Sequence, residues 1–245
     1  EKETASHRDP FVHGGVHQQA HGTWYFHRTG SGFKGGTFKG LDITFSDNPD
    51  GGTAAGLLIR AVERKRDGLL VEGSCRVVDH VLRLTESESI AALHDLKTFS
   101  VRCWREGEQD VMYLRETDRH PYKVLRTPRV GLSLRVTEDS SDRVQFVARR
   151  YRYVSSRDVI MKGRLHAVCA MCYDAPDMGT DAIATALGMK SSTVESYLCE
   201  YKAGVRSGDV SPFLGAKRLS VADTCKMLGA ALASYGGRKP SQTEQ

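Results

Sequence analysis

Residues 22–45 read GTWYFHRTGSGFKGGTFKGLDITF. The run holds six aromatic side chains, six glycines, His27, and the cations Arg28, Lys34 and Lys39. A buried strand calls for the rings and not the glycines, and a flexible linker for the glycines and not the rings. A surface that grips a nucleic-acid strand and takes in a base uses all three: rings stack, bare backbone lets a polymer come close, and cations hold phosphate. The alternative is that Trp24 and Tyr25 fill the core of a β-domain, the commoner fate of aromatics.

Around this run, residues 1–150 read as strands joined by Gly-rich turns. GLLIRAVERK (56–65) is an apolar run ending in charge, expected to be one buried strand. TFSVRCWRE (98–106) and DVMYLRE (110–116) alternate around GEQD and read as a hairpin. PRVGLSLRV (128–136) and RVQFVARRYRYV (143–154) read as two further strands across TEDSSD. SCRVVDHVLRL (74–84) has helical spacing, with Ser74 as its cap, and DNPDGG (47–52) reads as a surface loop.

After about residue 155 the spacing becomes helical in DVIMKGRLHAVCAMCYDA, TDAIATALG, SSTVESYLCEYKAG and SVADTCKMLGAALASYG. The expected fold class is therefore α+β: an antiparallel β-rich domain with peripheral helices over 1–154, an all-helical domain over 155–236, and a flexible tail over 237–245. The 245 residues, 40% of them hydrophobic, suffice for cores of that size. No apolar run approaches the ~20 residues of a membrane span, so no membrane partner is expected, and no signal peptide is visible.

Net charge is +5. RETDRHPYKVLRTPR (115–129) and RRYRYVSSRDVIMKGR (149–164) are locally basic and interleaved with tyrosine, a pairing that suits phosphate contact plus stacking. A solvated face with snorkelling arginines reads equally well. Six scattered cysteines point to reduced thiols in an intracellular chain. Cys169 and Cys172 form a C-x-x-C one turn after His166, but no second pair completes a zinc set, and buried core thiols are the favoured reading. No motif calls for a metal, nucleotide or redox cofactor; GGTFKG lacks the G-K-[ST] of a phosphate loop.

Several fragments occur together in one order: EKE, DPFVH, GTWYFH, KGLD, LLIRAVE, EGSCRVV and TPRVGL. In this they resemble the alkyladenine (3-methyladenine) DNA glycosylase family over roughly residues 1–150. The resemblance implies a β-rich glycosylase core that flips a modified purine out of double-stranded DNA and hydrolyses its N-glycosidic bond in base excision repair. It implies a catalytic carboxylate at Glu3, with Glu1 as the second match, and a water-positioning arginine at Arg60. The base pocket falls on His13, Tyr25, His27 and Asp42. Phe33 and Phe38 are both candidates for the wedge that opens the duplex. Arg28, Lys34, Lys39 and Arg129 are expected to contact nucleic acid.

Three readings of function follow: a glycosylase, a binding module on the same scaffold that recognises modified DNA or structured RNA without hydrolysis, and a structural component of a ribonucleoprotein. The compartment expected is the nucleus or the mitochondrion. Arg60 also reads as the end of a buried strand paired with Glu63, and each histidine as a hydrogen-bonded structural residue.

TDAIATALGMKSSTVESYLCEY (180–201) resembles a helix-turn-helix of the resolvase and regulator type. Ala184 and Leu187 would face the core, Gly188 would make the turn, Val194 and Leu198 would anchor the second helix, and Ser191 or Ser192 would cap it. Lys190, Thr193 and Lys202 are placed to touch a phosphate backbone. Glu195 and Glu200 would repel one, which leaves a protein partner through this domain as the other reading.

Overall fold

The computed structural model describes residues 2–3, 9–12, 14–46, 54–104, 110–116, 124–135, 140–155, 160–216 and 218–235. Glu1, His13, and the residues expected to form the 47–52 loop and the 237–245 tail lie outside the described residues. The fold is α+β, and its internal contacts gather into two units, Glu1–Arg119 and His120–Gln245. The change of texture near residue 155 falls inside the second unit.

The first unit runs β1 (Lys2–Glu3), β2 (His21–Phe26), β3 (Arg28–Thr29), β4 (Gly32–Phe33), β5 (Leu41–Phe45), β6 (Ala54–Leu58), β7 (Ala61–Arg64), β8 (Leu69–Glu72), α1 (Ser74–Leu84) and α2 (Ile90–His94). Its main sheet has the order β1-β6-β5-β2, antiparallel throughout. Because side chains alternate along a strand, register decides what each face carries. Trp24 opposes Ile43, and Phe26 opposes Leu41. With Val78, Ile90, Leu93 and Cys103 these rings form the apolar core on one face. Tyr25 opposes Asp42, which opposes Leu58, on the other. His94 lies among Phe26, Phe33 and Phe99, and burial lowers its pKa below the usual 6.5.

The expected strand 56–65 is two strands. Ile59 still donates to Leu41 O (2.9 Å), but at Arg60 the chain leaves the sheet and starts the β7–β8 hairpin, the Arg60 carbonyl accepting from Gly73 N (2.7 Å). α1 has the span expected of it, yet Ser74 is not its cap. Gly73, at φ 112°, fills that position with no side-chain bond, a backbone conformation that favours glycine. The expected 98–116 hairpin is irregular. Val111 N donates to Thr98 O and Leu114 N to Cys103 O, at spacings that do not make a ladder.

The second unit runs β9 (Leu125–Thr127), α3 (Ser140–Val147), β10 (Arg152–Val154), α4 (Arg164–Asp174), α5 (Thr180–Leu187), α6 (Ser191–Ser207) and α7 (Val221–Tyr235). Two of the expected strands are corrected here. Strand β9 precedes 128–136 and ends at Thr127, before Pro128, which has no N–H to give a ladder. Residues 143–154 are not one strand: 143–147 complete helix α3, Val144, Val147 and the adjoining Ala148 being buried at helical spacing, and only Arg152–Val154 pairs as a strand with β9.

Helices α6 and α7 touch backbone to backbone. A Cβ on Gly204 would lie well inside contact distance of Lys226 O, and one on Gly229 inside that of Tyr201 O. Ordinarily Gly→Ala within a helix gains ~1 kcal/mol. Here the clash is with main chain that cannot swing aside, so overpacking wins. Gly229→Ala is expected to destabilise the protein by about 3 kcal/mol in chemical denaturation. Gly35→Ala, which meets open space, stays within ~0.5 kcal/mol of the parent.

Candidate functional site

The polar face of the main sheet is built by alternation. Thr23, Tyr25 and His27 succeed one another on β2 and just past its end, and Asp42 and Thr44 on β5. Thr44 Oγ1 accepts from Thr23 N (3.0 Å) and lies 2.8 Å from Thr23 Oγ1. Beside them Asp42 is almost wholly buried, and burial of a carboxylate costs several kcal/mol unless its oxygens are met. Both are: His27 Nε2 donates to Oδ1 (2.9 Å) and Gln18 Nε2 to Oδ2 (3.1 Å). Gln18 comes from the short 3-10 turn Val16–Gln18, which packs against β2 and β6.

Two glycines make room for this arrangement. A Cβ on Gly56 would lie 2.8 Å from Asp42 Oδ2, and one on Gly40 would lie 2.8 Å from His27 Nε2. The Tyr25 and His27 rings are 5.9 Å apart and tilted by 41°. Burial, and after it the Asp42 carboxylate, raises the Tyr25 phenol above its usual 10.0. Gln18 is 2% exposed, and its Oε1, fixed in orientation by the bond that Nε2 makes to Asp42, has no hydrogen-bond partner among the described residues. The cluster thus offers a ring, an imidazole, a carboxylate and a buried amide acceptor on one face.

Of the sequence-derived site residues, Tyr25, His27 and Asp42 meet in this cluster. Arg60 is half-buried two residues beyond Leu58, the register partner of Asp42. Glu3 stands on β1 opposite Ala54, two residues before Gly56. Glu1 and His13 lie outside the described residues. Sequence reasoning missed Gln18; a polar residue in HQQ just before an aromatic strand carries no periodic signal.

The expected phosphate contacts are dispersed. The Arg28 guanidinium lies 4.0 Å from the Phe33 ring centroid and donates to Ser31 O (2.9 Å). Lys34 is half-buried, its N–H bonded to His27 O. Lys39 pairs with Asp79 on α1. Arg129 is buried beside the Tyr151 ring, a position for holding the fold and not for meeting phosphate in solvent. Phe38 is 76% exposed, whereas Phe33 packs against the core, which separates the two wedge candidates.

In the second unit Ile183, Ala184, Leu187, Val194 and Leu198 are buried, and Gly188 closes α5 in the left-handed conformation (φ 58°). Neither serine caps α6. Lys190 stands at its N-cap position without a side-chain bond, and the Ser191 hydroxyl donates to Asp181. Lys190 is exposed and Thr193 half-buried. Cys169, Cys172 and His166 are buried on α4; no group of three or more candidate metal ligands occurs among the described residues. No described helix is long and apolar enough to cross a membrane.

A protein of Acanthamoeba polyphaga mimivirus, Uncharacterized protein L759, is 35% identical over 140 residues, which cover 52% of this chain and 63% of that protein. The chain therefore spans less than two thirds of that relative's length. No family model and no solved structure matches.

The raised Tyr25 pKa carries a sign. The unfolded chain releases this phenolic proton near 10, before the folded one does, so stability is intact below pH 10 and falls as pH rises above it. Unfolding titrations should show the parent losing stability faster than Tyr25→Phe above pH 10, and Asp42→Asn should bring phenol ionisation, read by absorbance, to lower pH.

Proposed function

We propose that the first unit is a DNA glycosylase-like unit that receives an everted modified purine against the Tyr25–His27–Asp42–Gln18 cluster and hydrolyses its N-glycosidic bond. The observation that carries this reading is the Tyr25–Asp42 register pair with His27 bound to the same carboxylate: positions chosen from two sequence motifs, GTWYFH and KGLD, meet on one sheet face. Glu3 and Arg60 belong to the same sheet or its immediate margin.

In this reading Tyr25 and His27 supply flat faces for the base, and Gln18 Oε1 accepts from a purine N–H. Phe38 enters the duplex where the nucleotide left. Tyr25 and Asp42 are buried, so the turn Val16–Gln18 lifts to admit the base and then closes over it, returning Gln18 to Asp42. Water, positioned by Arg60, then adds to the anomeric carbon. Its proton passes to the Glu3 carboxylate, and the electron pair of the C–N bond leaves with the base. Such a reaction belongs in a DNA-containing compartment, the nucleus or mitochondrion.

A specific observation favours the second reading, a binding module without hydrolysis. Both Asp42 oxygens are already engaged, so the floor of the cluster is complete without a base. For the second unit we propose a helix-turn-helix-like role for α5 and α6. The buried Ile183–Leu198 set and the Gly188 turn support it, with Lys190 and Thr193 meeting the phosphate backbone.

The test is base release from duplex DNA carrying alkylated or deaminated purines. The parent is expected to release base. Glu3→Gln should abolish release and keep DNA binding, and Arg60→Ala should slow it by ~10²-fold. Intact DNA binding with no release from any of these substrates selects the binding module.

A further inference from the structure

The positive charge of this chain is divided unevenly between its two units. Residues 1–119 hold 16 Lys and Arg against 18 Asp and Glu, whereas residues 120–245 hold 19 against 12. Within the second unit the excess lies wholly in residues 120–164, with 11 basic and 4 acidic side chains; residues 165–245 hold 8 of each. That stretch contains the two-stranded ribbon β9–β10.

Alternation divides this ribbon sharply. Leu125, Thr127 and Val154 are buried on its inner face, where β9 packs on α4. Its outer face carries the register pair Arg126 and Tyr153. Arg126 is exposed, Tyr153 is 60% exposed, and the guanidinium lies 5.7 Å from the ring centroid. At the rim Arg152 donates to Lys162 O (2.8 Å), which ties the exposed Lys162 residue to the strand bearing Tyr153. Other arginines of the stretch are held elsewhere: Arg150 pairs with Asp174, Arg164 donates to Ile160 O, and Arg129 is buried.

We propose that the outer face of β9–β10 binds single-stranded nucleic acid, with Tyr153 stacking on a base and Arg126 and Lys162 meeting the flanking phosphates. Charge complementarity selects a polyanion. The exposed ring selects a single strand within that class, since duplex bases hide their faces in the stack and unpaired ones present them. This face belongs to the second unit, and the proposal does not depend on the chemistry of the first.

The test measures anisotropy of a fluorescein-labelled oligothymidylate on the full chain across a salt series, beside its duplex with oligoadenylate. This probe holds no purine in its single strand, so its binding says nothing of base release. The single strand is expected to bind more tightly than the duplex. Tyr153→Ala should weaken it about tenfold with an unchanged melting temperature, and Tyr153→Phe should restore it. Arg126→Ala should lower the salt slope by about one. Failure to bind the oligothymidylate, equal or tighter binding of the duplex, or a Tyr153→Ala affinity within about twofold of the parent would overturn the proposal.

Discussion

The burial of the Asp42 carboxylate sets the terms for the whole first unit. A charge in that position destabilises the fold unless both oxygens find donors, and the chain provides them from two directions: His27 just past β2 and Gln18 from the turn over the sheet. Glycine stands at 40 and 56 because any side chain there would strike the imidazole or the carboxylate. The same strands carry Trp24, Phe26 and Leu41 to the opposite face, where α1 and α2 close the core. One alternation thus makes an apolar interior and a polar cluster from the same twenty-odd residues. It also accounts for the rings of β2, for Asp42 and for Gly40 occurring together in residues 22–45.

The two units differ in the chemistry they carry. The first has rings, a carboxylate and a buried amide oxygen, and a slight excess of acidic residues. The second carries the chain's basic excess, concentrated beside an exposed arginine–tyrosine pair.

Legibility of the fold in the sequence followed the strength of local periodicity. The span of α1 and the buried set Ala184, Leu187, Val194 and Leu198 were readable because helical spacing and the Gly188 turn agree. Residues 143–154 misled because RYRYV dominates the stretch with β-prone residues, while the helical contacts of Val144, Val147 and Ala148 come from packing on neighbours the sequence does not reveal. The break at Arg60 was invisible for a related reason: an apolar run continues across it, and only the Gly73 N–H that its carbonyl meets shows where the chain turns. In the site, Tyr25, His27 and Asp42 could be named from motif order, but Gln18 could not, because its role exists only through the carboxylate it bonds.

The central claim, that the Asp42-anchored face takes in a base, is tested most directly by following histidine ring resonances by NMR as a duplex carrying a deaminated purine is added. If the base enters there, the His27 imidazole signals shift with this duplex and not with its unmodified counterpart, while those of His94, enclosed by Phe26, Phe33 and Phe99, stay in place. Signals from the second unit moving on DNA addition while His27 remains unperturbed by either duplex would contradict it.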